Sequence, residues 1–369
     1  VRKLRDRFVR GVLGGMDSWE DNFISGYAKF LDQNTLEVNG EKIFAKKIVI
    51  ATGSKPSIPD ILKKHEDFLI TTDEFFELED LPKRVAVIGL GVIGIELGQG
   101  LHNLGVEVIG IARRRNIAGV TDPILNEYVT RKFSETLNLS FDGISRVVEK
   151  NNSLCITTGG KEFTVDKVLV TTGRSVNYSA LNIENACVEL DERGIPKYDP
   201  ETFSIYSQPH LFLAGDNTGE NQILHEASDE GRIAGYNAVN ERLGFQTRTP
   251  LLVTFSDPNI AIAGKSFTEL KDSGANFEVG EVLFEGQGRS IVKLKEIGML
   301  RVYGDKSSGL ILGAELFAPD GEHLAHLLSW VISEKLDVNK VLSLPFYHPV
   351  VEEGLRTALR NLRDKLDID

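Results

Sequence analysis

Sulfur, tryptophan and positive charge are all scarce in this chain. Its 369 residues include two cysteines, two methionines and two tryptophans. Cys155 and Cys187 stand far apart, with no C-x-x-C pair and no metal-ligand spacing around them. That excludes a disulfide framework and a metal site, and it suits two small core residues in a reducing cytoplasm. No apolar run reaches the roughly 18 residues that would span a bilayer. Acidic residues outnumber basic ones 54 to 42, for a net charge of −12. A nucleic-acid or anionic-membrane surface needs clustered cations and is excluded as the main role. Solenoid repeats and low-complexity tracts are absent too. What remains is a soluble globular chain long enough for two or three domains.

The chain that is there alternates short β-rich runs with helical patterns. It starts with "VRKLRDRFVRGVLGGMDSW", read as an amphipathic helix with Val1, Leu4, Phe8, Val9 and Val12 on one stripe and Gly14-Gly15 as its stop. Buried strands are expected in "KKIVIATGS" (46–54), "RVAVIG" (from 84), "VEVIGIARRR" (106–115), "DKVLVTTGR" (166–174) and "HLFLAGDNT" (210–218), with a helix over about 224–242. From about residue 250 the texture changes. "SIVKLK", "GMLRVYGD" and "LILGAELFA" read as an antiparallel meander, followed by helices at about 321–335, 337–343 and 351–364. The first two-thirds is therefore parallel α/β and the last third α+β.

Gly89-Leu90-Gly91-Val92-Ile93-Gly94 follows an apolar strand and opens a helix, the context in which G-x-G-x-x-G binds a dinucleotide. Gly89 allows the tight turn, Gly91 lets the backbone approach a pyrophosphate, and Gly94 lets the helix pack on the strand. The helix N-terminus adds N–H donors and partial positive charge. An NAD site usually has an acid at the end of the second strand; here the sequence is Ile111-Ala112-Arg113-Arg114-Arg115. Arginine pairs with a 2′-phosphate, so Ala112, Arg113 and Arg114 favour NADP(H) over NAD(H), the alternative being a solvated arginine run.

Further stretches carry a family resemblance. "IVIATGSKPSIP", "LFLAGDNTGENQILHEASDEG", "VLVTTGRSVN", "NFISGYAKF", "FSDPNIAIAGKS" and "FYHPVVEEG" occur in the order seen in the flavin disulfide reductases. The chain resembles the class I pyridine nucleotide-disulfide oxidoreductases, most of all the dihydrolipoamide dehydrogenases, with glutathione reductases and mercuric reductases as cousins. The resemblance implies a Rossmann-like NAD(P) domain at 81–175, a remnant of an FAD-binding domain at 1–80 and 176–246, and an α+β dimer-interface domain at 247–369. It implies FAD contacts from Thr52, Gly53, Ser54, Gly215, Asp216 (toward the ribitol), Gln222, Ile223, Leu224 and His225, with Ala28 in a hairpin beside the adenosine. Glu96 and Gly173 join the nicotinamide side. His348 and Glu353 fall on the family's H-P-x-x-x-E motif, as acid/base and as the carboxylate that fixes its tautomer.

Dithiol/disulfide exchange with a small substrate, through FAD and a homodimer, is the activity so implied. An NADPH-dependent glutathione reductase-like enzyme is the alternative, and a non-catalytic nucleotide-binding and dimerisation fragment is an alternative of another class. Val350 and Glu352 stand where the dihydrolipoamide type usually has Thr and Ser. The family's first G-x-G-x-x-G and its C-x-x-x-x-C do not occur in these residues. The expectation is therefore of an N-terminally truncated chain, inactive by itself and weak or empty in FAD. Glu96, whose lysine partner in the family lies in that part, should meet substitute partners or be solvated.

Overall fold

The computed structural model describes residues 2–246 and 248–367. The chain divides into two compact units, Val1–Ser57 with Gly173–Thr247 and Ile58–Thr172 with Arg248–Asp369. No helix among the described residues is long and apolar enough to cross a membrane.

In the first unit, strand Ile48–Ile50 lies parallel to Gln208–Leu213, with Ile48 opposite Leu211 and Ile50 opposite Leu213. Ile48, Ile50, Leu211, Leu213 and Phe30 are buried together, whereas Val49, on the other face, is exposed. Period-2 alternation thus shows in the middle of a run that reads as buried throughout. Helix Leu224–Val239 follows the second strand and is tied back to it. Its Glu230, 8% exposed, accepts the Gly215 N–H at 2.8 Å. Two expectations are corrected here. The first helix runs from Arg2 to Met16 straight through Gly14 and Gly15, neither of which has the positive φ of a helix stop. None of its residues is buried, and Val1 of the expected stripe lies outside the described residues. The hairpin expected in "NFISGYAKF" lies further on: residues 24–28 carry no strand, and the antiparallel sheet is built from Lys29–Phe30, Thr35–Val38 and Glu41–Phe44.

The second unit holds two five-stranded sheets. One is wholly parallel, in the order Leu69–Ile70, Lys167–Val170, Arg84–Ile88, Glu107–Ile111, Asn138–Ser140. Helix Val92–Asn103 makes the crossover between its two central strands, which are buried on both faces as such a sheet requires. The other is antiparallel, in the order Leu251–Thr254, Asn259–Gly264, Ile311–Ala318, Met299–Asp305, Phe277–Leu283. Helix Glu352–Arg363 lies on it so closely that a Cβ at Gly280 would sit 2.3 Å from the Ala358 carbonyl oxygen. "SIVKLK" is not part of this meander. It lies mostly in helix Gly288–Lys293, whose first turn is capped by Gln287 accepting the Ser290 N–H at 2.8 Å. Six residues are too few for periodicity to separate helix from strand, and the cap decides. The cysteines are corrected as well: Cys187 is exposed and Cys155 only half-buried.

A buried polar network joins the two sheets' domains inside this unit. Glu315, fully buried, accepts from the Thr121 N–H and hydroxyl, the Asp122 N–H (3.0 Å) and the Phe267 N–H (2.9 Å). Asp122, also fully buried, caps helix Pro123–Ser134 and pairs with Arg301 at 2.6 Å. Glu315→Ala would strand four donors; it is expected to destabilise the protein by about 3–5 kcal/mol in denaturant unfolding, against less than half of that for Glu315→Gln. Glu230 generates a pH-dependent prediction. Burial pushes its carboxyl from 4.5 up to about 7, aided by Glu226 and Asp216 and opposed by the Gly215 N–H. The folded state therefore holds a proton that the unfolded chain has released. Ionising Glu230 is a cost that is absent below the unfolded value, grows through the window up to about 7 and is constant above it. Thermal melts should find Glu230→Gln more stable than the parent by about 2 kcal/mol at about pH 8, with the gap closing toward about pH 4.

Candidate active site

The glycine-rich turn is built as its spacing predicts, with one change of role. Gly89 has φ +99°, and a Cβ there would lie 2.4 Å from the Thr171 carbonyl oxygen. A Cβ on Gly94 would lie 1.9 Å from the Gly89 carbonyl oxygen, so Gly94 packs against the turn itself. Packing of the helix on the strand falls instead to Gly98, 3.5 Å from a Val87 methyl by the same construction. Gly91 is different: a Cβ there would meet nothing within 4 Å, and its φ of −71° suits any residue. The protein's own packing does not demand glycine at 91, and the space over it is open to a group that approaches from outside. Helix Val92–Asn103 has no side-chain cap at this end, which leaves its N–H groups available. The turn thus fits a dinucleotide pyrophosphate. Leu90 is buried, while Val92 and Ile93 are half-buried in the first helical turn.

Ala112 follows the second strand, half-buried, with Arg113 and Arg114 exposed beyond it. Among the described residues neither arginine makes an ion pair. Glu96, half-buried on the same helix, has found a substitute partner: it accepts the Phe255 N–H at 2.7 Å. Burial raises its carboxyl above the ordinary value, and that hydrogen bond works against the rise. Gly173 belongs to the first unit, where its carbonyl accepts the Ser57 N–H at 3.0 Å.

In the first unit, Ser54 and Asp216 come together across 162 positions of sequence, with the Ser54 hydroxyl donating to Asp216 at 2.6 Å. Arg174 completes the cluster: its Nε donates to the Ser54 hydroxyl at 2.6 Å, and its Nη2 to the Ser54 carbonyl at 2.8 Å. Gln222 donates to the Asp216 carbonyl at 3.1 Å. Thr52 is exposed beside Gly53, which has φ +68°, and Ala28 is packed against the core. Ile223 precedes helix Leu224–Val239 without a side-chain cap, and Leu224 at its start is 86% exposed. His225 follows, also exposed. An uncapped helix start with a bare apolar side chain, reached from the Ser54–Asp216 cluster through Gln222, fits a planar ring system with a polyhydroxyl tail. Sequence reasoning missed Arg174 and Glu230. The first follows a T-G turn and is tied to it by hydrogen bonds that no local pattern encodes; the second sits in a helix where a lone Glu reads as surface.

His348 precedes helix Glu352–Arg363, and its Nδ1 lies 2.9 Å from Glu353 Oε2. The same oxygen accepts the Val350 N–H at 3.3 Å, and Oε1 accepts from Arg356 at 2.7 Å. Partial burial pushes the Glu353 carboxyl up, but Val350, His348 and Arg356 together hold it below the ordinary range. An ionised carboxylate can only accept, so Nδ1 carries the hydrogen and Nε2 is the atom left to exchange a proton. The imidazole is 79% exposed and Glu353 17% exposed: the pair is anchored at one end and open at the other. Glu352, its neighbour, takes no part in these hydrogen bonds.

Known proteins resemble the chain along nearly all of it. It is 29% identical over 353 residues to mercuric reductase of Bacillus cereus, covering 93% of this chain and 55% of that one. It is 30% identical to mercuric reductase of Lysinibacillus sphaericus, covering 97% and 66%. It is also 30% identical to dihydrolipoyl dehydrogenase of Thermus scotoductus, covering 96% and 78%. The chain thus spans between about half and two-thirds of the length of those mercuric reductases. Among solved structures, the HOCl-induced flavoprotein disulfide reductase RclA of Escherichia coli matches in fold with a TM-score of 0.80 at 21% identity, covering 92% of this chain and 78% of that one. LpdA of Mycobacterium tuberculosis matches likewise, at 0.80 and 21%, covering 92% and 77%. Residues 6–231 match the pyridine nucleotide-disulphide oxidoreductase family and 251–359 its dimerisation domain, so the chain belongs to the pyridine nucleotide-disulphide oxidoreductases.

Proposed function

We propose that this chain carries the nucleotide-binding and proton-handling parts of a flavin-dependent NADPH:disulfide oxidoreductase of dihydrolipoamide dehydrogenase type. The observation that carries the proposal is the His348–Glu353 pair, 2.9 Å apart and open to an incoming group at Nε2. Thr52, Gly53, Ser54, Gly215, Asp216 and Gln222 to His225 would hold FAD, with Arg174 keeping Ser54 and Asp216 in place. When bound, FAD supplies the two-electron relay between nicotinamide and disulfide. Gly89 to Gly94 would hold the pyrophosphate of the nicotinamide nucleotide, and Arg113 and Arg114, both exposed and without an ion-pair partner among the described residues, its 2′-phosphate. In thiol–disulfide exchange a thiolate attacks one sulfur and expels another as a thiolate. His348 Nε2 would hold the proton that neutralises it, and Glu353 would keep the ring oriented and stabilise it while charged. Residues 247–369 would form a homodimer, in which an exposed His348 can serve a site on the other subunit. The substrate is a small disulfide, with lipoamide favoured by the overall resemblance. A glutathione reductase-like activity is the second reading, on the strength of the arginines.

NADPH should bind about tenfold more tightly than NADH in parallel calorimetric titrations of the chain, and equal affinity would overturn the nucleotide assignment. In a flavin-loaded protein that also carries the family's dithiol, His348→Gln should lower disulfide turnover by about 10²–10⁴-fold while NADPH still bleaches the flavin absorbance. Unaltered turnover would remove His348 from the mechanism.

A further inference from the structure

The two arginines that would read the 2′-phosphate lie on a short span held at both ends. At the near end, the Ala112 N–H donates to the Ser140 carbonyl and the Ala112 carbonyl accepts the Gly143 N–H, each at 2.9 Å. At the far end, one side chain does the work. Asn126, in the first turn of helix Pro123–Ser134, donates from Nδ2 to the Arg115 carbonyl at 2.7 Å and accepts the Ile117 N–H at 3.3 Å. The next residue is locked as well: the Ala118 N–H donates at 2.8 Å to the carbonyl of Leu90, inside the glycine-rich turn. Ala118 has φ +51°, a left-handed conformation that an alanine holds only where its surroundings impose it. Ile117 and Ala118 are fully buried, whereas Arg113, Arg114 and Arg115 are exposed. Between Ala112 and Arg115 the backbone therefore has two free residues, and both are the arginines.

We infer that Asn126 is a positioning residue for nucleotide selectivity: it fixes the path of the Arg113–Arg114 span, so that two mobile cations are presented together to the 2′-phosphate. The inference rests on the NADP(H) reading above. Long arginine side chains lose little affinity for a phosphate when the chain beneath them is already ordered, and more when binding must order it. Asn116 also donates from Nδ2, to the Val120 carbonyl at 2.9 Å, but that bond lies beyond Arg115; of the groups that hold the Arg115 carbonyl and the Ile117 N–H, Asn126 is the one a substitution can remove. A shell that merely stabilised the domain would affect both nucleotides alike. A residue that orders the arginines affects only the nucleotide that carries the 2′-phosphate.

The test is calorimetric titration of the full chain and its variants with NADPH and with NADH, alongside thermal melts. Asn126→Ala is expected to weaken NADPH by about five- to tenfold and NADH by less than about twofold. Asn126→Leu keeps the volume but loses both donor and acceptor without adding a charge, and should lower the NADPH preference in the same way. Should Asn126→Ala melt too early for titration, Asn126→Leu alone decides. Weakening of both nucleotides to the same degree, or a preference that survives both substitutions, overturns the role of Asn126 while the NADP(H) reading stands. A parent chain that binds the two nucleotides equally overturns the reading, and the inference with it.

Discussion

A carboxylate with no access to water holds the larger unit together. Glu315 projects from the antiparallel sheet and takes hydrogen bonds from Thr121, Asp122 and Phe267. Asp122 in turn caps a helix of the parallel α/β domain and holds Arg301. Removing a charge from water is costly, and the cost is offset only if every lone pair finds a donor. That requirement fixes the loop before helix Pro123–Ser134, and the same helix supplies Asn126. From the buried charge, hydrogen bonds run through Asp122 to the Asn126 N–H and from the Asn126 side chain to the Arg115 carbonyl, all inside one unit.

The candidate site is organised by the same economy of donors and acceptors. Where a group must meet something external, the protein leaves it open: Gly91 faces free space, Leu224 stands bare at a helix start, and His348 keeps Nε2 toward solvent. Where a group must hold still, it is cross-tied. Asp216 is bound by Ser54, Ser54 by Arg174, and the turn beneath them by Glu230. Glu353 divides its two oxygens, one to His348 and the Val350 N–H, the other to Arg356. The imidazole is thus oriented by an anchored carboxylate while most of the ring stays open to solvent.

Much of this was legible from spacing. The glycine turn, its strand and its helix were readable because G-x-G-x-x-G acts through local backbone geometry, and the His348–Glu353 pair because five positions across a helix start put the two side chains within reach. Other features were not legible, for physical reasons that differ. "SIVKLK" has a composition that suits a strand and folds as a helix, because one capping glutamine outweighs a six-residue pattern. Gly94 was expected to let the helix pack on the strand; the atoms a Cβ there would meet are the Gly89 carbonyl and the Thr171 hydroxyl, partners that spacing does not name. Cys187 was read as core from its residue type, yet it ends a short helical turn at the surface in a left-handed conformation.

By itself, the sequence determined most of the alternation of strands and helices, the change of texture near residue 250, the glycine-rich turn and the nearness of His348 to Glu353, since each is written in contacts between residues near one another along the chain. The tertiary structure alone decided the partners that lie far apart: Arg174 with Ser54 across 120 positions, Glu96 with Phe255 across 159, and Thr121 with Glu315 across 194. A charged or polar side chain carries no mark of which distant group will satisfy it. Periodicity says which face is buried, but only the folded packing says which donor meets which acceptor once water has been excluded.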